Sequence, residues 1–200
     1  MYLFGDQVAP PDKALTVGVQ VPCKELKVQR KPLTASMFAA AFFNLREQGV
    51  VGLEVVQKKV LFVKTTKVIV SRLQSGDRPG LEGAVVQNTA GGESVKDIIR
   101  SWYRRDVTDP WRLVIDEAVS EAVAQGYFEG TDAGRGKIAG AVLGNTNMTP
   151  VCEKIAPLEG EFDKFLSGWN AFQTSEPDLY RELVDDSAGA IASRVESTDD

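Results

Sequence analysis

Apolar positions along the chain recur at two spacings, which predict two kinds of element. Where apolar residues lie three or four positions apart, with charged or amide side chains between them, they predict amphipathic helices. Where β-branched residues follow one another in short runs, they predict strands. Helical spacing marks six segments: PLTASMFAAAFFNLREQG, PGLEGAVVQNT, SVKDIIRSWYRR, DPWRLVIDEAVSEAVAQG, EGEFDKFLSGWNAF and PDLYRELVDDSAGAIASRVES.

Several predicted helices carry capping residues at their ends. Thr34 is the expected N-cap of the first long helix, and Gly49 stands where a C-cap glycine belongs. Ser94 and Asp109 are expected to cap two later helices, with Pro110 at the first helical position after Asp109. The expected apolar faces are Leu33, Met37, Phe38, Ala41, Phe42 and Leu45 in the first helix, and Leu113, Val114, Ala118, Ala122 and Val123 in the helix after Asp109.

Three regions have the composition of strands. ALTVGVQVPCKELKVQRK predicts one or two strands with Pro22 at an edge or a bend. VVGLEVV and KVLFVKTTKVIVSRL predict two or three strands, with QKK as the turn of a hairpin and KTTK as a bulge or a second turn. KIAGAVLGNTNMTPVCEKI predicts another hairpin around NTN.

The order of these elements indicates the fold class. A helix, a glycine, an apolar pair and a hairpin follow one another twice, which is how a winged-helix unit ends. The predicted fold is therefore α+β, with two winged-helix-like units followed by a C-terminal helical pair. The first unit, with its basic hairpin, is expected in residues 1–78 and the second in 79–157. The C-terminal helices and an acidic tail follow in 158–200, and all three parts can form one compact domain.

Charge is divided unevenly along the chain. The net charge is -5, yet residues 1–72 hold eleven Lys and Arg against five Asp and Glu, whereas residues 73–200 hold twelve against twenty-three. A basic half beside an acidic half indicates an anionic partner for the first, or pairing between halves or between protomers of a homo-oligomer.

The absence of one residue type narrows the possible functions. The 200 residues include no histidine, which excludes Ser-His-Asp and Cys-His catalysis and histidine-ligated zinc. No metal site and no cofactor are predicted, because GTDAGRGKIAG departs from the spacing of a phosphate-binding loop. The hypothesis is a non-enzymatic protein, with catalysis through Asp, Glu, Lys or Tyr side chains as an alternative.

Cysteine usage and hydropathy suggest a location. Cys23 and Cys152 are the two cysteines and form no CxxC motif. A disulfide between them stays open, but reduced thiols are the simpler interpretation. No apolar run approaches the roughly eighteen residues of a membrane span, and the first residues do not resemble a secretory signal. We therefore expect a cytoplasmic protein that contacts a membrane only at its periphery.

Two clusters are candidate anion-binding sites. In the basic hairpin, Lys58, Lys59, Lys64 and Lys67 could contact phosphates of DNA or of lipid head groups. The alternative is a solvated sheet face whose lysines discourage edge-to-edge pairing.

The second cluster lies in SWYRRDVTDPWR. Arginines beside aromatic rings suit anionic head groups, through bidentate hydrogen bonds and cation–π contact. The alternative is that the tryptophans close the core while the arginines pair with Asp97, Asp106 or Asp109. The candidate residues are Arg104, Arg105, Trp111 and Arg112.

A winged-helix fold also permits a DNA-binding transcriptional regulator, in which the third helix of a unit enters the groove. In the second unit this helix carries Asp116, Glu117 and Glu121 on turns expected to face outward. Their carboxylates would repel phosphates, so DNA is the less favoured partner.

The segments PLTASMFAAAFFNLREQGVVGLE, VKDIIRSWYRR and WRLVIDEAVSEAVAQGYF resemble the Golgi phosphoprotein-like family over residues 33–150. Members of that family are peripheral membrane factors. Their phosphoinositide pocket uses a tryptophan and an arginine around the first long helix, with more basic residues near the last helix of the second unit. Residues 33–45 contain neither, and Arg112 alone falls near an expected basic position. The resemblance implies an adaptor or regulatory module that binds an anionic membrane surface, and the charge pattern adds an acidic protein as a further candidate partner.

Overall fold

The computed structural model describes residues 1–13, 18–60, 63–130 and 148–195, without the side chains of residues 58–60, 63 and 64. The helices in these ranges are α1 (Arg30–Glu47), α2 (Gly80–Gln87), α3 (Val95–Tyr103), α4 (Pro110–Ala124), α5 (Cys152–Ile155), α6 (Glu159–Ser175) and α7 (Pro177–Ala192), with 3-10 turns at Tyr2–Gln7 and Ala156–Leu158. The strands are β1 (Val19–Gln20), β2 (Lys27–Val28), β3 (Val51–Val60), β4 (Val63–Arg72), β5 (Glu93–Ser94), β6 (Phe128–Glu129) and β7 (Thr149–Pro150). Helices with small antiparallel sheets confirm the α+β class.

The basic segment forms one long hairpin. β3 and β4 pair without interruption from Val51 opposite Arg72 to Val60 opposite Val63. QKK lies inside β3 and KTTK inside β4, so the predicted turn at the first and the bulge or turn at the second are both wrong. Neither strand contains a proline, and β-branched residues dominate β4, so the chain has no local reason to break the ladder.

A third strand joins this hairpin over a short length. β5 pairs with β4 at Ile69 and Val70, which gives a three-stranded sheet in the order β3-β4-β5. β6 pairs with β7, but β6 lies before the predicted hairpin KIAGAVLGNTNMTPVCEKI, and the predicted strand residues CEKI form α5, so that end of the predicted strand is wrong. The interior of that hairpin and the glycine-rich loop before it fall mainly in residues 131–147, outside the described residues. The tandem winged-helix arrangement stays a prediction.

The first long helix departs from its prediction in two ways. α1 begins at Arg30, not after Thr34, and the Thr34 hydroxyl donates inside the helix to the carbonyl oxygens of Arg30 (3.0 Å) and Lys31 (3.1 Å). Pro32 falls in the first turn, where a helix needs no N–H donor. The helix is also buried all round in its middle, because α2, α4, α7 and β3 surround it. All seven consecutive residues from Met37 to Phe43 are buried.

The later caps are confirmed. The Ser94 hydroxyl oxygen accepts a hydrogen bond from the N–H of Asp97 at 3.2 Å, at the start of α3. The Asp109 carboxylate accepts one from the N–H of Arg112 at 3.2 Å, and Pro110 opens α4. Gly126 follows α4 with a φ of 76°, a left-handed conformation that favours glycine. These local signals therefore set the ends of two helices.

One hydrophobic core joins the three predicted segments. Phe42 of α1, Ile99 of α3 and Leu183 of α7 belong to the same buried cluster. α7 packs against α1, α3 and β4, so the C-terminal helices complete the core that the preceding elements begin.

The cysteines form a disulfide, so the expectation of reduced thiols is wrong. Cys23 and Cys152 have their Cα atoms 5.6 Å apart and are separated by 129 residues along the chain. The bond ties the turn between β1 and β2 to the start of α5. Both residues are exposed at the surface.

Candidate functional site

The basic hairpin projects beyond the three-stranded sheet. Past Val68, which is buried, β4 has only β3 as a neighbouring strand among the described residues. Lys67 is exposed and lies opposite Val56, which is also exposed. The backbones of the other three candidate lysines follow in the ladder, while the side chains of Lys58, Lys59 and Lys64 lie outside the described residues. This distal part is a two-stranded arm with a basic exposed residue near its root.

The tryptophans of the second cluster pack into the protein. Trp111 is only 6% exposed, and the Lys31 ammonium lies 5.9 Å from the centroid of its ring. Trp102 is half-buried and stands edge-on to Phe38, with 5.3 Å between ring centroids. The packing alternative is therefore confirmed for both rings, and most of the Trp111 indole is unavailable to a ligand.

Two of the arginines do not form the ion pairs that the packing alternative predicted for them. Arg104 and Arg105 are exposed and make no ion pair with any side chain in the described part of the chain. The acids expected to neutralise them are already engaged. The contacts concerned are Asp97 with Ser94 (2.6 Å), Asp106 with Arg194 (2.9 Å) and Asp109 with Arg30 (2.6 Å).

A strained turn holds Arg104. Its φ is 59° and its ψ is -34°, and the N–H of Arg105 donates across it to the carbonyl oxygen of Tyr103 at 2.6 Å. A three-residue turn with positive φ at its centre is a γ-turn, which is rare and costly for a residue with a Cβ. This turn ends α3 and sets the Arg104 side chain at the edge of a groove.

The groove lies between α2, the end of α3 and α4, with a volume of about 700 Å³. Leu113 of α4 lines it and is 38% exposed, although the sequence predicted an inward position. The inward face of α4 is instead occupied by Trp111, Val114 and Ile115, which leaves Leu113 on the opposite side. Arg78, Trp102, Arg104, Asp116 and Glu117 also line the groove.

Asp116 is the unusual group in this groove. Its side chain is 13% exposed, although it was expected to face outward, and both carboxylate oxygens are buried without a hydrogen-bond partner in the described residues. The Arg112 Nε atom lies 3.6 Å from Oδ2, beyond hydrogen-bonding distance. Burial raises the pKa of Asp116 to about 6; Arg112 opposes this shift and Asp109 adds to it. The sequence offered one signal for the contact, the i,i+4 spacing of Arg112 and Asp116.

A second cavity of about 450 Å³ lies between α1, α4 and α6. Its exposed lining is nearly half polar, and its carboxylates include Glu82 and Glu121. Glu82 accepts a hydrogen bond from Asn44 at 2.5 Å and pairs with Arg78 at 3.1 Å. Burial raises the pKa of Glu121, and the neighbouring Glu82 and Glu117 raise it further. Glu82 therefore already has partners.

Two further findings concern the described residues alone. They contain no group of three or more Cys, Asp or Glu side chains arranged to hold a metal ion. None of the helices formed by these residues is long and apolar enough to cross a membrane. Comparisons of the chain with protein-family models, with curated proteins and with solved structures gave no match.

Proposed function

We propose that this protein is a non-enzymatic adaptor or regulatory module that attaches to an anionic surface, preferably the lipid head groups of a membrane. One observation carries the proposal: Arg104 and Arg105 are adjacent, exposed and without an ion pair in the described part of the chain. The nearby acids Asp106 and Asp109 are held by other arginines, so they do not neutralise this pair.

A guanidinium group suits a phosphate, because it can donate two parallel hydrogen bonds to phosphate oxygens. Each basic residue close to an anionic leaflet contributes about 1 kcal/mol, and the attraction falls within a Debye length. Lys67 at the root of the basic arm would add to this attraction. Binding should therefore be weak for each residue, additive across them and sensitive to salt.

The sequence supports a binding role over catalysis because it lacks histidine, the commonest acid–base group in enzymes. The cytoplasmic location has lost its main support, since the expected thiols are bonded to each other. Exposed disulfides persist in oxidising compartments. The proposed anionic surface therefore faces an oxidising compartment wherever this disulfide is formed.

Co-sedimentation with neutral and anionic liposomes, at low and near-physiological salt, tests the proposal. The double variant Arg104→Gln/Arg105→Gln should lose most of the binding to anionic liposomes. A matched double variant on the C-terminal helices, Lys164→Gln/Arg181→Gln, removes the same charge from exposed positions and should bind as the unchanged protein does.

Three outcomes would contradict the proposal in different ways. Equal loss in both double variants would mean that only net charge matters. Displacement from liposomes by a DNA duplex would favour a DNA-binding regulator. Failure to bind anionic liposomes at low salt would exclude the membrane form and leave an acidic protein as the partner to seek.

A further inference from the structure

We infer that the cavity between α1, α4 and α6 binds a small organic amine, whose primary ammonium group contacts Glu121 and whose apolar body lies against α1 and α6. The site shares no residue with the anionic-surface proposal, which depends on Arg104, Arg105 and Lys67. It also prefers a ligand of the opposite charge. Either proposal can therefore fail without the other.

The charges around the cavity favour a cation. The described residues that line it include two glutamates, Glu82 and Glu121, but no lysine or arginine. Glu82 is already compensated, because it accepts a hydrogen bond from Asn44 at 2.5 Å and pairs with Arg78 at 3.1 Å. Glu121 forms no ion pair with any group in the described part of the chain. An ammonium ligand would supply the positive charge that Glu121 lacks.

One carboxylate oxygen of Glu121 is open to a ligand. Its Oε1 atom accepts a hydrogen bond from the Gln125 side chain at 3.2 Å, whereas Oε2 has no hydrogen-bond partner among the described residues. Oε2 lies beside Gly80, where any side chain would collide with it. Unlike the oxygens of Asp116, Oε2 is not sealed from solvent, and Glu121 as a whole is half-buried. A primary ammonium can therefore donate a charge-assisted hydrogen bond to this atom.

The amino group of Met1 is the other cation that Glu121 attracts. Met1 lines the cavity too, but burial outweighs this attraction and lowers the pKa of its amino group to about 6. At pH 8 that group is mostly neutral and does not compensate the carboxylate. The pKa of Glu121 is raised by burial and then by Glu82 and Glu117, as expected of a carboxylate with too little positive charge around it.

Apolar side chains form the inner part of the cavity. Met37 and Ala41 of α1 and Phe162 of α6 line it and are at most 7% exposed. Glu121 is half-buried and Gln125 beside it is exposed, so the polar end lies nearer to solvent. A ligand with an ammonium head and an apolar body matches this order. The volume of about 450 Å³ lies within the range of small-molecule sites.

Calorimetric titration of the full, disulfide-bonded chain at pH 8 with hexylamine, hexan-1-ol and hexanoate tests the inference. The three probes share one apolar chain and differ in the charge of the head group. We expect hexylamine to bind at least about tenfold more tightly than hexan-1-ol, which lacks the charge-assisted hydrogen bond, and hexanoate to bind most weakly because Glu121 repels it. The inference is overturned if hexylamine does not bind at millimolar concentration, or if either other probe binds as tightly.

Variants on α4 locate the site, with thermal unfolding as the check that each one folds. Glu121→Gln keeps the length of the side chain and should weaken hexylamine binding about tenfold without changing the affinity for hexan-1-ol. Glu117→Gln is the matched control, since it removes the same charge from the same helix but does not line this cavity. Ala118→Leu adds bulk to the lining and should weaken both probes.

Three results with folded variants would contradict this placement of the ligand. Full affinity of Glu121→Gln for hexylamine would exclude the proposed contact. An equal loss in Glu117→Gln would mean that the charge of α4 as a whole attracts the amine. Full affinity of Ala118→Leu for both probes would place them outside the cavity.

Discussion

Lys96 of α3 holds its ammonium nitrogen 2.9 Å from Oδ1 of Asp186 in α7, and the Asp186 side chain is 2% exposed. The other oxygen of Asp186 accepts a hydrogen bond from the N–H of Val68 in β4 at 3.3 Å. One buried carboxylate therefore joins elements from all three predicted segments of the chain. This contact explains how the last helix becomes part of the central core.

Removing the cation of this pair should destabilise the fold. Lys96→Met leaves Asp186 buried and charged, and breaking a buried pair costs about 3–5 kcal/mol. Since Lys96 is itself 36% exposed and water can reach the site, we expect about 2 kcal/mol, measured as the free energy of unfolding in urea. Arg181→Met is the control, because its pair with Asp178 is exposed and worth less than about 1 kcal/mol. Equal losses would contradict the assignment.

Asp116 should make stability depend on pH in the acid range. The pKa of Asp116 is about 6 in the folded protein, whereas 3.8 is the ordinary value, taken for the unfolded chain. At a pH between these two values, the folded state keeps a proton that the unfolded chain releases. Stability should therefore fall as pH rises through this window.

The comparison with Asp116→Asn isolates this effect, because other titrating groups, including Glu121, are present in both proteins. The stability of the unchanged protein relative to the variant should decrease between about pH 4 and pH 6 and then stay level. Urea unfolding at several pH values measures this difference. A relative stability that rises with pH would show that Asp116 is stabilised as an anion.

Arg104→Gly should stabilise the protein, although it removes a proposed ligand contact. The φ of 59° strains any residue with a Cβ, and glycine adopts it readily. We expect the free energy of unfolding to rise by about 1 kcal/mol. Arg105→Gly is the control, since Arg105 has no positive φ and the change only adds freedom to the unfolded chain. If both variants lose stability, Arg104 is not strained.

The disulfide should contribute strongly to stability. In the chain-entropy account, a disulfide that closes a loop between residues 129 positions apart stabilises the folded state by about 5 kcal/mol. Reduction, or the double variant Cys23→Ala/Cys152→Ala, should lower the free energy of unfolding in guanidinium by the same amount, since both cysteines are exposed to reductant. No loss on reduction, checked by mass spectrometry of alkylated thiols, would contradict this expectation.

Sequence determined those features whose causes lie within a few residues. Ser94 caps α3 and Asp109 caps α4 because the bonded N–H groups lie three positions away, at Asp97 and Arg112. Gly126 follows α4 because a left-handed residue is needed there. The class of the fold follows from the same local patterns, and the absence of histidine by itself restricts the chemistry that the chain can perform.

The surroundings of α1 and the pairing of the two cysteines were decided by the tertiary structure. The apolar pattern of α1 cannot say that helices and a sheet surround it on every side, because the partners come from distant segments. The pairing of Cys23 with Cys152 depends on distant parts of the chain that only the folded core brings together.

The candidate site belongs to the same category. Asp116 looks like a solvated acid on an exposed turn, yet in the folded protein, where α2 packs against α4, both of its oxygens are buried. Local sequence set the starts of α3 and α4, since the hydrogen bonds that cap them join residues three positions apart. Burial and the shape of a groove depend on neighbours far along the chain, so the folded structure alone determines them.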